Sequence, residues 1–225
     1  MLKVPRLLLG VGLLLILAAP VAFGQAPSCA APTDTVDFPD RGLAAAVRAA
    51  IGLSEAQAVT CGALAELEEL IANDAGITDV SGIENAANLR RLDLRGNRVA
   101  DLRPIAALSR LTRLDLFDND LTDLSALSRH PSLQRLDARR NRVSDLGFAA
   151  TMPKLSRLDV RENLVEDVAP LAGDTSLEYL YLSNNLIADP RPLASISQLQ
   201  YLDLANNRIT SGTGLGAMEN LEFLS

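Results

Sequence analysis

Asp93, Asp115, Asp137 and Asp159 recur at intervals of 22 residues. Two carboxylates held roughly 5 to 9 Å apart are the equipment of a glycoside hydrolase. Here arginines flank each one, and the spacing places them on an open face without a pocket, so hydrolysis is not expected. The single histidine, His130, stands before Pro131 at a junction between repeats, away from that face, and no triad can be built on it. Asp118-Asn119-Asp120 begins like a calcium loop but lacks the glycine and later glutamate of that motif. There is no glycine-rich phosphate loop either. The sequence therefore predicts a protein that is not an enzyme, with no metal site and no cofactor.

Composition narrows the choice further. Of 225 residues 48 % are hydrophobic and 22 % charged, which suits a packed protein rather than a disordered one. Acidic residues outnumber basic ones, 28 to 21, which speaks against nucleic acid, whose binding rests on neutralised phosphates.

The chain start reads as a secretory signal peptide over residues 1–24: Lys3 and Arg6, an apolar run from Leu7 to Leu17, then small residues at Ala22 and Gly24. The run is too short to span a bilayer, so no integral span is expected after cleavage. An uncleaved anchor and a lipid-anchored Cys29 are the alternatives. Export to a periplasm, cell surface or medium would let Cys29 and Cys61 close a disulfide across an irregular leader, residues 25–35. Two free thiols are the other possibility.

The elements that position these residues follow from an internal repeat. Leu67, Leu89, Leu111, Leu133, Leu155, Leu177, Leu199 and Leu221 are evenly spaced, and the units LRRLDLRGN, LTRLDLFDN and LQYLDLANN share LxxLxLxxN. That is the leucine-rich repeat signature. A single coil cannot bury its apolar face, so coils must stack. The period-two segment makes a short strand that pairs in parallel with its neighbours, and the rest of the unit returns along the outside. Asn97, Asn119, Asn141, Asn163, Asn185 and Asn207 fall where the chain leaves its strand, and their amides are expected to satisfy backbone groups there.

The unit NRVADLRPIAAL, with VDFPDRGLAAAVRAAIGL, VTCGALAEL and AGITDVSGIENAANL before it, resembles the bacterial internalin-type leucine-rich repeat and its helical N-terminal cap. That resemblance implies an α/β solenoid: a parallel concave sheet of about eight short strands, an irregular or 3-10 convex side and a helical cap. The expected organisation is a cap over residues 36–66 and a repeat domain over 67–225, with seven repeats and the start of an eighth. From its own residues the cap shows Leu43, Val47 and Ile51 on one helical face, closed by Gly52. Pro190 and Gly212 replace apolar residues of the outer wall, and His130 and Asp174 replace others, so those coils are expected to be less regular. The chain stops inside a new strand, which predicts a truncated product or an edge covered by a partner or by self-association.

Residues flanking the strand leucines should face outward in three columns. The first contains Arg91, Arg113, Arg135 and Arg157, then Tyr179, Tyr201 and Phe223. The second contains the four aspartates and Tyr181, and the third contains Arg95, Phe117, Arg139 and Arg161. Arginines of one column and aspartates of the next would neutralise one another as exposed pairs, or else would orient a charged protein ligand. Tyr179, Tyr181, Tyr201 and Phe223, with Phe117 isolated among charges, are the candidates for affinity, unless they pack on one another. The face would be roughly 35 Å long, comparable to one side of a standard interface. The sequence thus predicts an exported, non-catalytic protein-binding module of the kind that serves adhesion or surface recognition. A passive spacer, or the first part of a longer protein, is the alternative.

Overall fold

Asp40 starts the first helix by accepting the Leu43 N–H at 3.0 Å. The computed structural model describes residues 29–225, and the expected signal peptide lies outside them. Helix α1 (Arg41–Ala50) buries Leu43, Ala44 and Val47. Ile51, expected on the same face, is instead the C-cap and only partly buried, because the chain turns away through Gly52 at φ 71°. Strands β1 (Thr35–Val36) and β2 (Val59–Thr60) pair antiparallel, and Thr60 caps α2 (Cys61–Ala65) by accepting from the Ala63 N–H. Leu64 and Leu67 sit in the core beneath it. The Cys29–Cys61 disulfide, with Cα atoms 5.6 Å apart, ties the leader to this helix.

Eight strands follow: β3 (Glu69–Ile71), β4 (Arg91–Asp93), β5 (Arg113–Asp115), β6 (Arg135–Asp137), β7 (Arg157–Asp159), β8 (Tyr179–Tyr181), β9 (Tyr201–Asp203) and β10 (Phe223–Leu224). They form one sheet in chain order, all parallel, with Leu70 beside Leu92, Leu92 beside Leu114 and so on. This is a leucine-rich repeat solenoid with a concave sheet and a capped start. The returning chain is irregular, with one α-turn, α3 (Arg103–Ala106), and short 3-10 turns such as Ser125–Leu127 and Arg191–Ser195. At Ala149, where other coils carry Ile105, Leu127 or Leu171, Phe148 is buried beside it and restores volume. Pro190 is buried ahead of its turn, whereas Gly212 lies exposed in open space, so only the last outer turn is loosely filled.

Three ladders recur from coil to coil, and the first of them ties neighbouring coils together. Each stacked asparagine amide bridges two units: Asn163 donates to the carbonyls of Ala138, Val160 and Arg161 and accepts from the Val143 N–H, at 2.9 to 3.1 Å. On the convex side Asp101, Asp123, Asp145, Asp167 and Asp189 each accept the N–H two residues on, an Asx-turn that starts each outer turn. Just before the asparagine ladder runs a column of left-handed residues, Asp74, Gly96, Asp118, Arg140, Glu162, Asn184 and Asn206. Neither of the last two ladders is singled out by the LxxLxLxxN pattern.

His130 and Asp174 keep their coils regular rather than disturbing them. Asp174 Oδ1 accepts from the Ser176 and Leu177 N–H groups, and His130 Nδ1 accepts from the equivalent Leu133 N–H at 3.2 Å. His130 is 3 % exposed, and burial holds its pKa below the usual histidine value against the pull of the Leu108 carbonyl. The unfolded chain therefore takes up a proton near pH 6.5 that the folded protein refuses. Stability is expected to fall as pH drops through that range, and His130→Asn, which keeps an acceptor for Leu133, should remove that part of the slope in urea titrations between pH 7.5 and 5.

Candidate functional site

Strand alternation decides what the concave face displays. The middle residues, Leu92, Leu114, Leu136 and Leu158, are buried in the core, so the residues on either side point outward. Parallel register then stacks Arg91, Arg113, Arg135 and Arg157 in one row and continues it with Tyr179, Tyr201 and Phe223. The structure thus brings the candidate first-column residues together in a single line.

The aspartates of the second column are bound differently from the expected arrangement. Asp93 is held by Arg95, two residues on, through Nε at 2.8 Å and Nη2 at 2.7 Å. Arg139 forks Asp137 in the same way, and Arg161 forks Asp159. In each case the Asp Oδ1 also accepts the N–H of that arginine, so a local Asx-turn aims the guanidinium back at the carboxylate. The signal for this was Asp-x-Arg, present three times in these strands. Where Phe117 replaces the third-column arginine, Arg113 turns to Asp115 instead, at 3.0 Å. Arg91 goes to Glu69 at 2.7 Å, leaving Asp93 at 4.0 Å.

These aspartates are not exposed, and the face is not without a pocket. Asp93 is 0 % exposed, Asp115 5 % and Asp159 4 %, because the curved sheet and the long arginines wall them in. A hollow of about 350 Å³ lies over β5 to β7, lined by Arg113, Arg135, Arg139, Arg157 and Arg161 around Asp115, Asp137 and Asp159. Burial pushes the Asp159 carboxyl above its usual range, against the hydrogen bond from Arg161 and with a further push from Asp137. The arginines exceed the aspartates by two. Among the described residues no group of three His, Cys, Asp or Glu is placed to hold a metal, and Asn119 is spent on the Leu94 and Leu116 carbonyls.

The aromatic residues pack on one another and on arginines. Tyr201 and Phe223 stack with ring centres 4.3 Å apart and planes at 6°, and Tyr181 leans on Tyr201 at 4.7 Å. Tyr181 is consequently only 9 % exposed, whereas Phe223 remains 43 % exposed. Tyr179 donates its hydroxyl to Gln200 Oε1. Phe117, expected to be isolated, lies under the guanidinium groups of Arg139 and Arg140 at 4.9 and 5.5 Å. Packing on Tyr201 and arginines thus absorbs Tyr181, Arg139 and Arg140 cover a face of Phe117, and Tyr201 and Phe223 form the accessible ridge.

A stacked coil with an open inner sheet is the architecture of a protein-interaction module. The family described as Leucine Rich repeats (2 copies) matches residues 87–129 and 175–215. Internalin C2 of Listeria monocytogenes superimposes over 89 % of this chain and 99 % of its own with 32 % identity and a TM-score of 0.70. An internalin of the same species, InlF, covers 84 % of this chain at 32 % identity and a TM-score of 0.69, and this chain spans 62 % of that structure. A leucine-rich repeat protein of Leptospira interrogans, 22 % identical with a TM-score of 0.61, shares the fold. Comparison with curated sequences gives no significant match. The chain belongs to the internalin family of bacterial leucine-rich repeat proteins. Among its described residues no helix is long and apolar enough to cross a membrane.

Proposed function

We propose that this protein is exported and binds a protein ligand through its concave sheet, as a recognition or adhesion module without catalytic activity. The observation that carries the reading is the single line of Arg135, Arg157, Tyr179, Tyr201 and Phe223 across adjacent strands. Arginine and tyrosine are the residue types that dominate interface energetics, and here charged and aromatic halves adjoin on one rigid surface. The family, the signal-like start and the Cys29–Cys61 pair support export.

A spacer reading draws on the Asp-x-Arg forks and the aromatic self-packing, which satisfy much of the face internally. Peptide display separates the two. Random twelve-residue peptides selected on the folded chain are expected to lose binding at least about tenfold with Tyr201→Ala and to keep it with Arg103→Ala on the convex side. Peptides that bind indifferently to concave substitutions, or a failure to select any, would favour the spacer.

A further inference from the structure

Of the five arginines around the hollow, three already hold carboxylates: Arg113 with Asp115, Arg139 with Asp137, and Arg161 with Asp159. Arg135 and Arg157 have no ion-pair partner among the described residues, and both are exposed. Arg157 is nevertheless not loose. Its guanidinium lies 4.6 Å over the Tyr181 ring, and a guanidinium stacked on a ring keeps its in-plane N–H donors for a carboxylate. The spare charge therefore sits at one place, beside the aromatic ridge, on a protein whose formal net charge is −7.

The geometry points to Arg135 and Arg157 as the seat for an acidic peptide segment of a protein partner, whose following apolar side chain rests on the Tyr201–Phe223 stack. This deepens the concave-face reading and rests on it. Charge complementarity selects the sign of the partner, and the acidic remainder of the surface repels the same segment from other places. The ridge selects a peptide over a bare anion. From midway between β6 and β7 to β9 is two and a half strand spacings, about 12 Å, which four residues of an extended chain cover. A carboxylate between the two arginines thus leaves the side chain four positions later, on the same face of the extended chain, over Tyr201. Fork donors already committed to Asp137 and Asp159 need not be broken.

The test uses a fluorescein-labelled peptide, Gly-Glu-Glu-Ser-Gly-Leu-Phe-Gly, titrated with the chain by fluorescence anisotropy at low salt. Saturable binding is expected, weakened about tenfold or more when Gln replaces both Glu residues or in Arg135→Glu/Arg157→Glu. Lys154→Glu, a charge reversal on an exposed residue away from the hollow, should change it less than about twofold. Circular dichroism on each variant checks folding, and the Arg135→Gln/Arg157→Gln pair serves if charge reversal unfolds the sheet. The proposal is overturned if the Glu and Gln peptides bind alike, if Lys154→Glu weakens binding as much as the double variant, or if inorganic phosphate at equal concentration displaces the peptide fully. The two readings fail separately. Display peptides that depend on Tyr201 while the acidic peptide does not bind would leave the concave face in place and sink this assignment; display peptides indifferent to Tyr201 would sink the concave-face reading itself.

Discussion

Replacing Asn141 with leucine is expected to lower the free energy of unfolding by about 3 to 5 kcal/mol, several buried polar groups losing their partner at about 1 to 3 kcal/mol each. The Asn141 amide donates to the carbonyls of Leu116, Ala138 and Arg139 and accepts the Leu121 N–H at 3.0 Å. The residue is 8 % exposed, so water cannot replace these bonds without opening the coil. Leucine keeps the branched heavy-atom skeleton of asparagine and leaves no cavity, so the loss comes from the unpaired polar groups, with a smaller part from fitting two methyl groups where the amide sat. Asn207 makes the same bonds to Leu182, Leu204 and Ala205 but is only partly buried. Asn207→Leu should therefore cost clearly less in the same urea titration. Equal losses at both positions would mean that the ladder acts through propensity at the bend and not through buried bonds.

The contrast between those two asparagines shows which features a sequence displays. Leu92, Leu114 and Leu136 are legible because every coil needs an apolar side chain at the same depth, and a 22-residue period repeats that need along the chain. The ladder asparagines are legible for the same reason. Arg95, Arg139 and Arg161 were visible as a column but not as clamps, because their direction comes from the Asx-turn at the preceding aspartate, a backbone conformation that the repeat pattern does not spell out. The hollow was missed for a related reason: it is a product of sheet curvature and arginine length together. Tyr181 looked like Tyr201 in sequence, yet Arg157 and Arg161 lie over its ring at 4.6 and 5.1 Å and take the surface a ligand would use. The residues whose role depends on a neighbour one strand away are the ones a single chain of letters hides.

Removing the disulfide, by Cys29→Ser/Cys61→Ser, is expected to cost about 3 to 4 kcal/mol, the loop-closure entropy of a separation near 30 residues, with the loss concentrated at the capped end. The leader docks on the cap through the Gly62 N–H to the Pro32 carbonyl, the Cys61 N–H to the Asp34 carbonyl and the Cys29 N–H to Asn85 Oδ1. Each is a single bond on a segment with little buried apolar surface, so the covalent link is what keeps them closed. Helix α1, by contrast, is held by Leu43 and Val47, both fully buried, and should stay docked on β3. In a stack where each coil contacts only its neighbours, destabilisation at one end decays along the array. Amides of Cys61 and Gly62 should then exchange with solvent much faster in the variant, while Leu136 and Leu158 in the central strands hold their protection. A uniform rise in exchange across β3 to β10 would instead mean that the cap sets the stability of the whole solenoid, and treating the intact protein with reductant should reproduce whichever pattern the variant gives.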